Sequence, residues 1–198
     1  MRIGVLASGS GTILEAIIDE GLRPEVVVVD RPCRAVEVAK LAGVEVAVIE
    51  RTSFGPDFDR LGYTHQVVDA LAAGAVELVV MAGYGTILDK PIHDAYPGRI
   101  LNTHPSLLPA FPGLDAQQQA FDYGVQIAGC TVHFVDEHLD HGAIILQRAI
   151  PVFQEDDAQS LAGRILAEEH IAYSEAIARV ASGRYQLEGR RYVLRTAP

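Results

Sequence analysis

Glu25-Val26-Val27-Val28-Val29-Asp30 is an unbroken valine run bounded by acids, and its lack of alternation decides the fold. A strand with one face in water alternates apolar and polar residues. One that is apolar at every position is buried on both faces, as in parallel sheets covered by helices on each side. Related runs rich in β-branched residues lie at Ile3–Ala7, Val44–Ile49 and Leu78–Ala82, separated by segments with helical periodicity. This βαβα rhythm predicts an α/β protein: an open, mostly parallel twisted sheet with helices on both faces, Rossmann-like in plan.

Farther along, Ile100–Thr103 reads as another strand ended by Pro105, followed by a Pro/Gly-rich loop and a helix over Ala116–Tyr123. Cys130–Val135 and Ile144–Leu146 read as a strand pair, small antiparallel additions toward the C-terminus. The polar stretch Asp136–Gly142 between them is a loop that carries Asp140. Asp156-Asp157 starts the longest helix, with Leu161, Ile165, Ala172, Ala176 and Val180 as its apolar stripe and Gly183 at its end. The tail from Tyr185 to Leu194 alternates around a turn and reads as a hairpin serving stability only.

With 198 residues, 49% of them hydrophobic, and no linker-like stretch, the chain reads as a single domain over 1–198. The formal charge of −10 comes without a basic patch, which argues against nucleic-acid binding by phosphate neutralisation. Cys33 and Cys130 form no CxxC pair and suit a reducing compartment. Ile3–Ala7 is too short for a signal-peptide core, and no apolar run reaches the ~18 residues of a membrane span. The expectation is a cytoplasmic protein with no membrane partner.

Three constellations carry chemistry. Ser8-Gly9-Ser10-Gly11-Thr12 joins the first strand to a helix beginning near Ile13, where glycines let the backbone approach an anion and helix N–H groups point at it. A tight turn without a ligand remains an alternative. A dinucleotide reading also competes, because Asp30 closes the second strand about 20 residues on. Leu14 replaces the third glycine of that motif, which favours a monophosphate.

The second constellation is Asn102, His104 and Asp140. Residues i and i+2 share a strand face, so the Asn102 amide and His104 imidazole emerge together at the carboxyl end of their strand. An amide and a protonated imidazole can stabilise an oxyanion, and a carboxylate can hold the imidazole charged. The set suits acyl transfer, and no G-x-S-x-G elbow is present. The alternative is that His104 caps the sheet and Asp140 is one more loop acid. The third constellation is His133, His138 and His141 among Asp136, Glu137 and Asp140. It lacks H-E-x-x-H or facial-triad spacing, so no metal is expected. Glu168-Glu169-His170 on the long helix reads as surface.

The stretches NTHPSLLPAFPGLDAQQQA and GCTVHFVDEHLDHGAIILQRAIPV, with VLASGSGT before and EEHIAYSEAI and GRYQLEGRRYVL after, resemble the phosphoribosylglycinamide formyltransferases of the folate-dependent formyltransferase superfamily. The H-P-S-L-L-P core is shared across the superfamily; SGSGT and the short length point to this branch. The resemblance implies the formyltransferase fold, with a phosphate-binding half over 1–100 and a catalytic, folate-binding half over 101–198. It implies transfer of the formyl group of 10-formyltetrahydrofolate, a cosubstrate, to the amine of glycinamide ribonucleotide in purine biosynthesis, by a monomer or homodimer without metal.

By the same likeness Gly11, Thr12 and Ile13 hold the phosphate, Glu169 the ribose, and Gly83 lies beside the glycinamide. Asn102, His104 and Asp140 are catalytic. Arg60, Gly85, Thr86, Ile87, Leu88, Asn102 and Val135 serve the folate. Three departures stand out: Gly85-Thr86 where Met-Arg is usual, Ile13 where Asn is common, and His141 where a smaller residue precedes the glycine. They keep two other functions in view: formyl transfer to a different amine, such as an amino sugar nucleotide, and a phosphate-ligand binding module without transfer.

Overall fold

The valine run forms β2 (Val26–Val29), buried at every position. The computed structural model describes residues 1–195, and the chain groups into two units, Met1–Leu101 and Asn102 onward. In the first unit β2 pairs in parallel with β1 (Ile3–Ala7) and β3 (Glu45–Val48), and β1 pairs in parallel with β4 (Leu78–Met81). The order β3-β2-β1-β4 places the two wholly buried strands, β1 and β2, inside the sheet. β3 lies at the edge and is half exposed, which accounts for Glu45 at its start and for a strand shorter than the apolar run Val44–Ile49.

Four helices accompany these strands: α1 (Thr12–Asp19), α2 (Arg34–Leu41), α3 (Arg60–Ala73) and α4 (Lys90–Ala95). The first three bury short, mostly apolar stripes, such as Ile13, Leu14 and Ile17 on α1, whereas α4 buries Ile92 alone. Parallel strands joined through helices make this the α/β architecture read from the valine run. β5 (Ile100–His104) begins in this unit and ends in the next.

The second unit continues with α5 (Ala116–Tyr123), then the antiparallel pair β6 (Ile127–Phe134) and β7 (Ile144–Pro151). Both strands are longer than the expected Cys130–Val135 and Ile144–Leu146. Their ladder runs from Ile127 opposite Pro151 to His133 opposite Ile144, so cross-strand pairing recruits residues whose composition alone is ambiguous. The register slips between Val132 and His133, just before the loop that carries Asp140.

α6 (Ala158–Ala181) starts at Asp157, whose side chain accepts from the Ser160 N–H at 2.7 Å while Ser160 Oγ accepts from the Asp157 N–H at 3.0 Å. This reciprocal cap explains why the paired acids begin the helix. Leu161, Ile165, Ala172, Ala176 and Val180 are buried as the stripe required. β8 (Tyr185–Glu188) and β9 (Arg191–Leu194) form the terminal hairpin, and β9 joins β7 in parallel at Ile144 and Arg191. No helix among the described residues is long and apolar enough to cross a membrane.

Candidate functional site

In the first unit the chain leaves β1 through Ser8–Gly11 and enters α1. Gly11 is the helix N-cap with φ 71°, and a Cβ there would sit 2.8 Å from Ala35 Cα. A left-handed backbone and a close backbone neighbour both call for glycine. The N–H groups of Thr12 and Ile13 fall in the first turn, which has no intrahelical acceptors for them. The Ile13 side chain is 8% exposed and belongs to the core, so only its N–H faces outward chemistry. Glu15 would repel an anion at this end; Arg34 engages it at 3.0 Å and also donates to the Ser10 carbonyl at 2.8 Å. Arg34 carries no motif and escaped the sequence reading.

The end of β4 meets the same loop. Ser8 N–H donates to the Gly83 carbonyl at 3.2 Å, and Gly85 N–H donates to Ser8 Oγ at 2.8 Å. Gly83 and Gly85 therefore lie beside the Ser8–Gly11 loop. Asp30 is not presented to a ligand: its carboxylate is buried, with Arg31 Nε at 3.0 Å and Thr86 Oγ1 at 2.8 Å. Burial opposes ionisation, but donors from Arg31, Thr86 and Ser8 hold its pKa below the usual carboxylate value. This consumption of Asp30 removes the dinucleotide reading. It also turns the Thr86 hydroxyl inward, leaving only that residue's backbone for a folate. Ile87 is 59% exposed, Leu88 half-buried, and Arg60 exposed at the start of α3. At the Gly85 departure a cation is nearby after all: Arg31 Nη2 lies 3.9 Å from where a Gly85 Cβ would stand.

In the second unit β5 delivers Asn102 and His104 on one face, while Thr103 between them donates to Glu169 Oε1 at 2.8 Å. His104 is 5% exposed. Its Nδ1 lies 3.4 Å from Asp140 Oδ2, and its Nε2–H donates to the Phe111 carbonyl at 2.8 Å. Asp140 Oδ2 also accepts the Gly113 N–H at 2.7 Å. Asp140 has φ 50°, a left-handed conformation that Asp tolerates better than most residues. Gly142 is what lets the loop return so tightly, since a Cβ there would fall 1.7 Å from the Phe134 carbonyl oxygen.

The turn after His104 is fixed from β6 and β7. Thr131 Oγ1 donates to the Ser106 carbonyl at 2.7 Å and accepts from Leu108 N–H and Gln147 Nε2, each at 3.0 Å. His133, read as an ordinary strand residue, is a neighbour of the His104–Asp140 pair. Its Nδ1–H donates to the Phe134 carbonyl at 2.8 Å and its Nε2 lies 3.8 Å from Asp140 Oδ1. Burial holds its pKa below that of a free imidazole. The register slip at Val132 and His133 was the missing signal, and it cannot be seen without the partner strand.

Glu169 corrects the surface reading of Glu168-Glu169-His170: it is 5% exposed, and burial pushes its pKa up to about 7 against the bond from Thr103. The terminal hairpin also does more than close the sheet, because Arg190 at its turn lines a cavity of about 310 Å³ with Leu108, Pro109, Asp140, Gly142 and Ile144. Val135 is half-buried where β6 enters the loop. The histidine cluster divides, with His133 and Asp140 turned toward His104 and Asp136, His138 and His141 grouped outward.

Comparison with known proteins gives the chain its family. The formyl transferase family model matches residues 1–177. Phosphoribosylglycinamide formyltransferase of Mycobacterium tuberculosis (strain ATCC 25618 / H37Rv) is 39% identical over 194 residues, covering 96% of this chain and 89% of that protein. The trifunctional purine biosynthetic protein adenosine-3 of Drosophila melanogaster is 40% identical over 191 residues, 92% of this chain, which spans only 14% of that relative's length. The crystal structure of glycinamide ribonucleotide transformylase 1 from Symbiobacterium toebii superposes with a TM-score of 0.93 at 48% identity, covering 99% of this chain and 94% of that one. With a buried imidazole–carboxylate pair at the end of β5 and relatives matched nearly end to end, the chain belongs to the formyl transferase family, on its phosphoribosylglycinamide formyltransferase branch.

Proposed function

We propose that this chain transfers the formyl group of 10-formyltetrahydrofolate to the amine of glycinamide ribonucleotide, a step of purine biosynthesis, in the cytoplasm. The observation that carries the reading is the His104 Nδ1 to Asp140 Oδ2 approach of 3.4 Å, on a strand that presents Asn102 on the same face. The substrate amine attacks the formyl carbon, and the formyl oxygen gains the negative charge. Asn102 Nδ2–H and the His104 imidazolium donate to that oxygen, with the Asp140 carboxylate stabilising the charged ring. For Nε2–H of His104 to reach a substrate oxygen, the Phe111 carbonyl that now accepts it gives way. Collapse of the tetrahedral adduct breaks the bond to N10 of the folate, which takes a proton as the new amide loses one. Asp140 manages that transfer through water. Oxyanion donors and proton transfer contribute ~10²–10³ and ~10²–10⁴ respectively, so no step calls for a metal ion.

The remaining roles follow from chemistry. The N–H groups of Thr12 and Ile13, opened by Gly11, take the phosphate; Glu169 takes the ribose hydroxyls; Gly83 leaves space beside the glycinamide. Arg60, the Gly85–Leu88 strip, Asn102 and Val135 serve the folate, with exposed Ile87 as apolar surface and Arg31 as the local cation. The working unit is a monomer or homodimer without nucleic-acid partners. The test is absorbance-monitored turnover with 10-formyl-dideazafolate against a panel containing glycinamide ribonucleotide and amino sugar nucleotides. Turnover with the ribonucleotide is expected. Preference for another amine, or ribonucleotide binding without folate binding, overturns the assignment.

A further inference from the structure

The outward half of the histidine cluster is a separate feature from the catalytic pair. Asp136, His138 and His141 each offer one ligand atom, and these atoms lie within 4.8 Å of one another. His141 Nδ1 is 2.9 Å from Asp136 Oδ2, and His138 Nδ1 is 3.8 Å from Asp136 Oδ1. Asp136 Oδ1 also accepts the His138 N–H at 2.9 Å, which fixes the carboxylate between the two rings. Around an ion bound at ~2.1 Å, tetrahedral ligand atoms stand ~3.4 Å apart, so small side-chain rotations suffice to close the set.

The backbone explains the grouping. Leu139, 65% exposed, is the tip of the loop, and the left-handed φ of 50° at Asp140 turns His141 back toward Asp136. Asp140 itself is engaged by Gly113 N–H and His104 and does not compete for the ion. Both histidines are exposed and Asp136 is half-buried, so water can complete the coordination.

We propose that Asp136, His138 and His141 bind a single first-row divalent transition ion that clasps the loop bearing Asp140. Two imidazoles and one carboxylate favour borderline ions such as Zn²⁺, Ni²⁺ and Co²⁺ over Mg²⁺ or Ca²⁺, which demand mostly oxygen ligands. The ion joins residues on both sides of the loop tip and takes no part in the formyl chemistry.

The experiment is calorimetric titration of the untagged protein with Ni²⁺ and Zn²⁺, with Co²⁺ absorption as a report on ligand type. One ion per chain is expected, with binding weakened by at least ~10-fold in both His138→Ala and His141→Ala, and no uptake of Mg²⁺. A metal-induced rise in unfolding temperature should appear in the parent and vanish in the variants. Because both rings are exposed, the metal-free variants should unfold at the parental temperature; should one misfold, the other decides. Absence of saturable one-to-one binding, or binding undiminished in a folded variant, overturns the site.

Discussion

The loop entering α1 and the segments around His104 are built by opposite means. In the first unit the loop entering α1 works through its backbone: a glycine cap, open N–H groups, and a side chain at Ile13 that belongs to the core. In the second unit the machinery is made of side chains held under duress. Of the four non-glycine residues with positive φ among the described residues, Phe111, Asp115 and Asp140 lie here and only Ala75 in the first unit. Glu169 and His133 are buried titratable groups displaced toward their neutral forms. The difference teaches that the proposed phosphate contact is left to backbone geometry that a glycine cap provides, whereas the proposed movement of charge draws on groups that would be more stable elsewhere.

The contrast can be broken most decisively at His104 and Asp140. His104→Ala and Asp140→Asn are each expected to lower turnover by at least ~10². Asn accepts the left-handed backbone at position 140, so Asp140→Asn should keep its unfolding midpoint; measured rates near parental in both variants would end the claim that these side chains move the charge.

Glu169 sharpens the comparison through pH. Burial pushes its carboxyl up to about 7 in the folded chain, from an ordinary glutamate value of 4.5. The folded state therefore holds a proton that the unfolded chain releases between those values. Stability tied to that proton is present below pH 4.5 and is lost as pH rises through about 7. Glu169→Gln should match the parent at pH 5 in urea unfolding and exceed it at pH 8 by on the order of 2 kcal/mol, while raising KM for the ribonucleotide. A variant less stable than the parent at pH 8 would mean the buried acid is not under strain.

Thr131→Val tests whether the turn after His104 is held from β6. It strands the Ser106 carbonyl and Leu108 N–H, and a loss of about 2 kcal/mol with slower turnover is expected. On the backbone-built side, Gly11→Ala should cost about 1–2 kcal/mol in stability and raise KM for the phosphorylated substrate with kcat nearly unchanged. A drop in kcat instead would show that the anion loop also shapes the reacting centre.

The fold was legible because valines without alternation admit one reading, and the capped start of α6 is written in Asp157 and Ser160. The pairing of Asn102 and His104 followed from strand geometry, and the distant Asp140 from the direction of β6. What stayed hidden depends on cross-strand register or on tertiary burial. His133 stands beside Asp140 where the ladder slips. Thr131 meets Gln147 only through the antiparallel register. Glu169 lies on the buried side of α6 among acids that read as solvated, and Arg34 meets Glu15 only because α1 and α2, separated in sequence by β2, come into contact. None of these leaves a local pattern in the chain.

The carbonyl of Phe111, seated on His104 Nε2 at 2.8 Å, has a bearing on inhibitor design. A compound that mimics the tetrahedral adduct must supply an acceptor good enough to displace an oxygen the protein already provides, so potency at this nitrogen is measured against an internal competitor rather than against water. Molecules that also fill the space vacated by the loop would recover what that exchange costs.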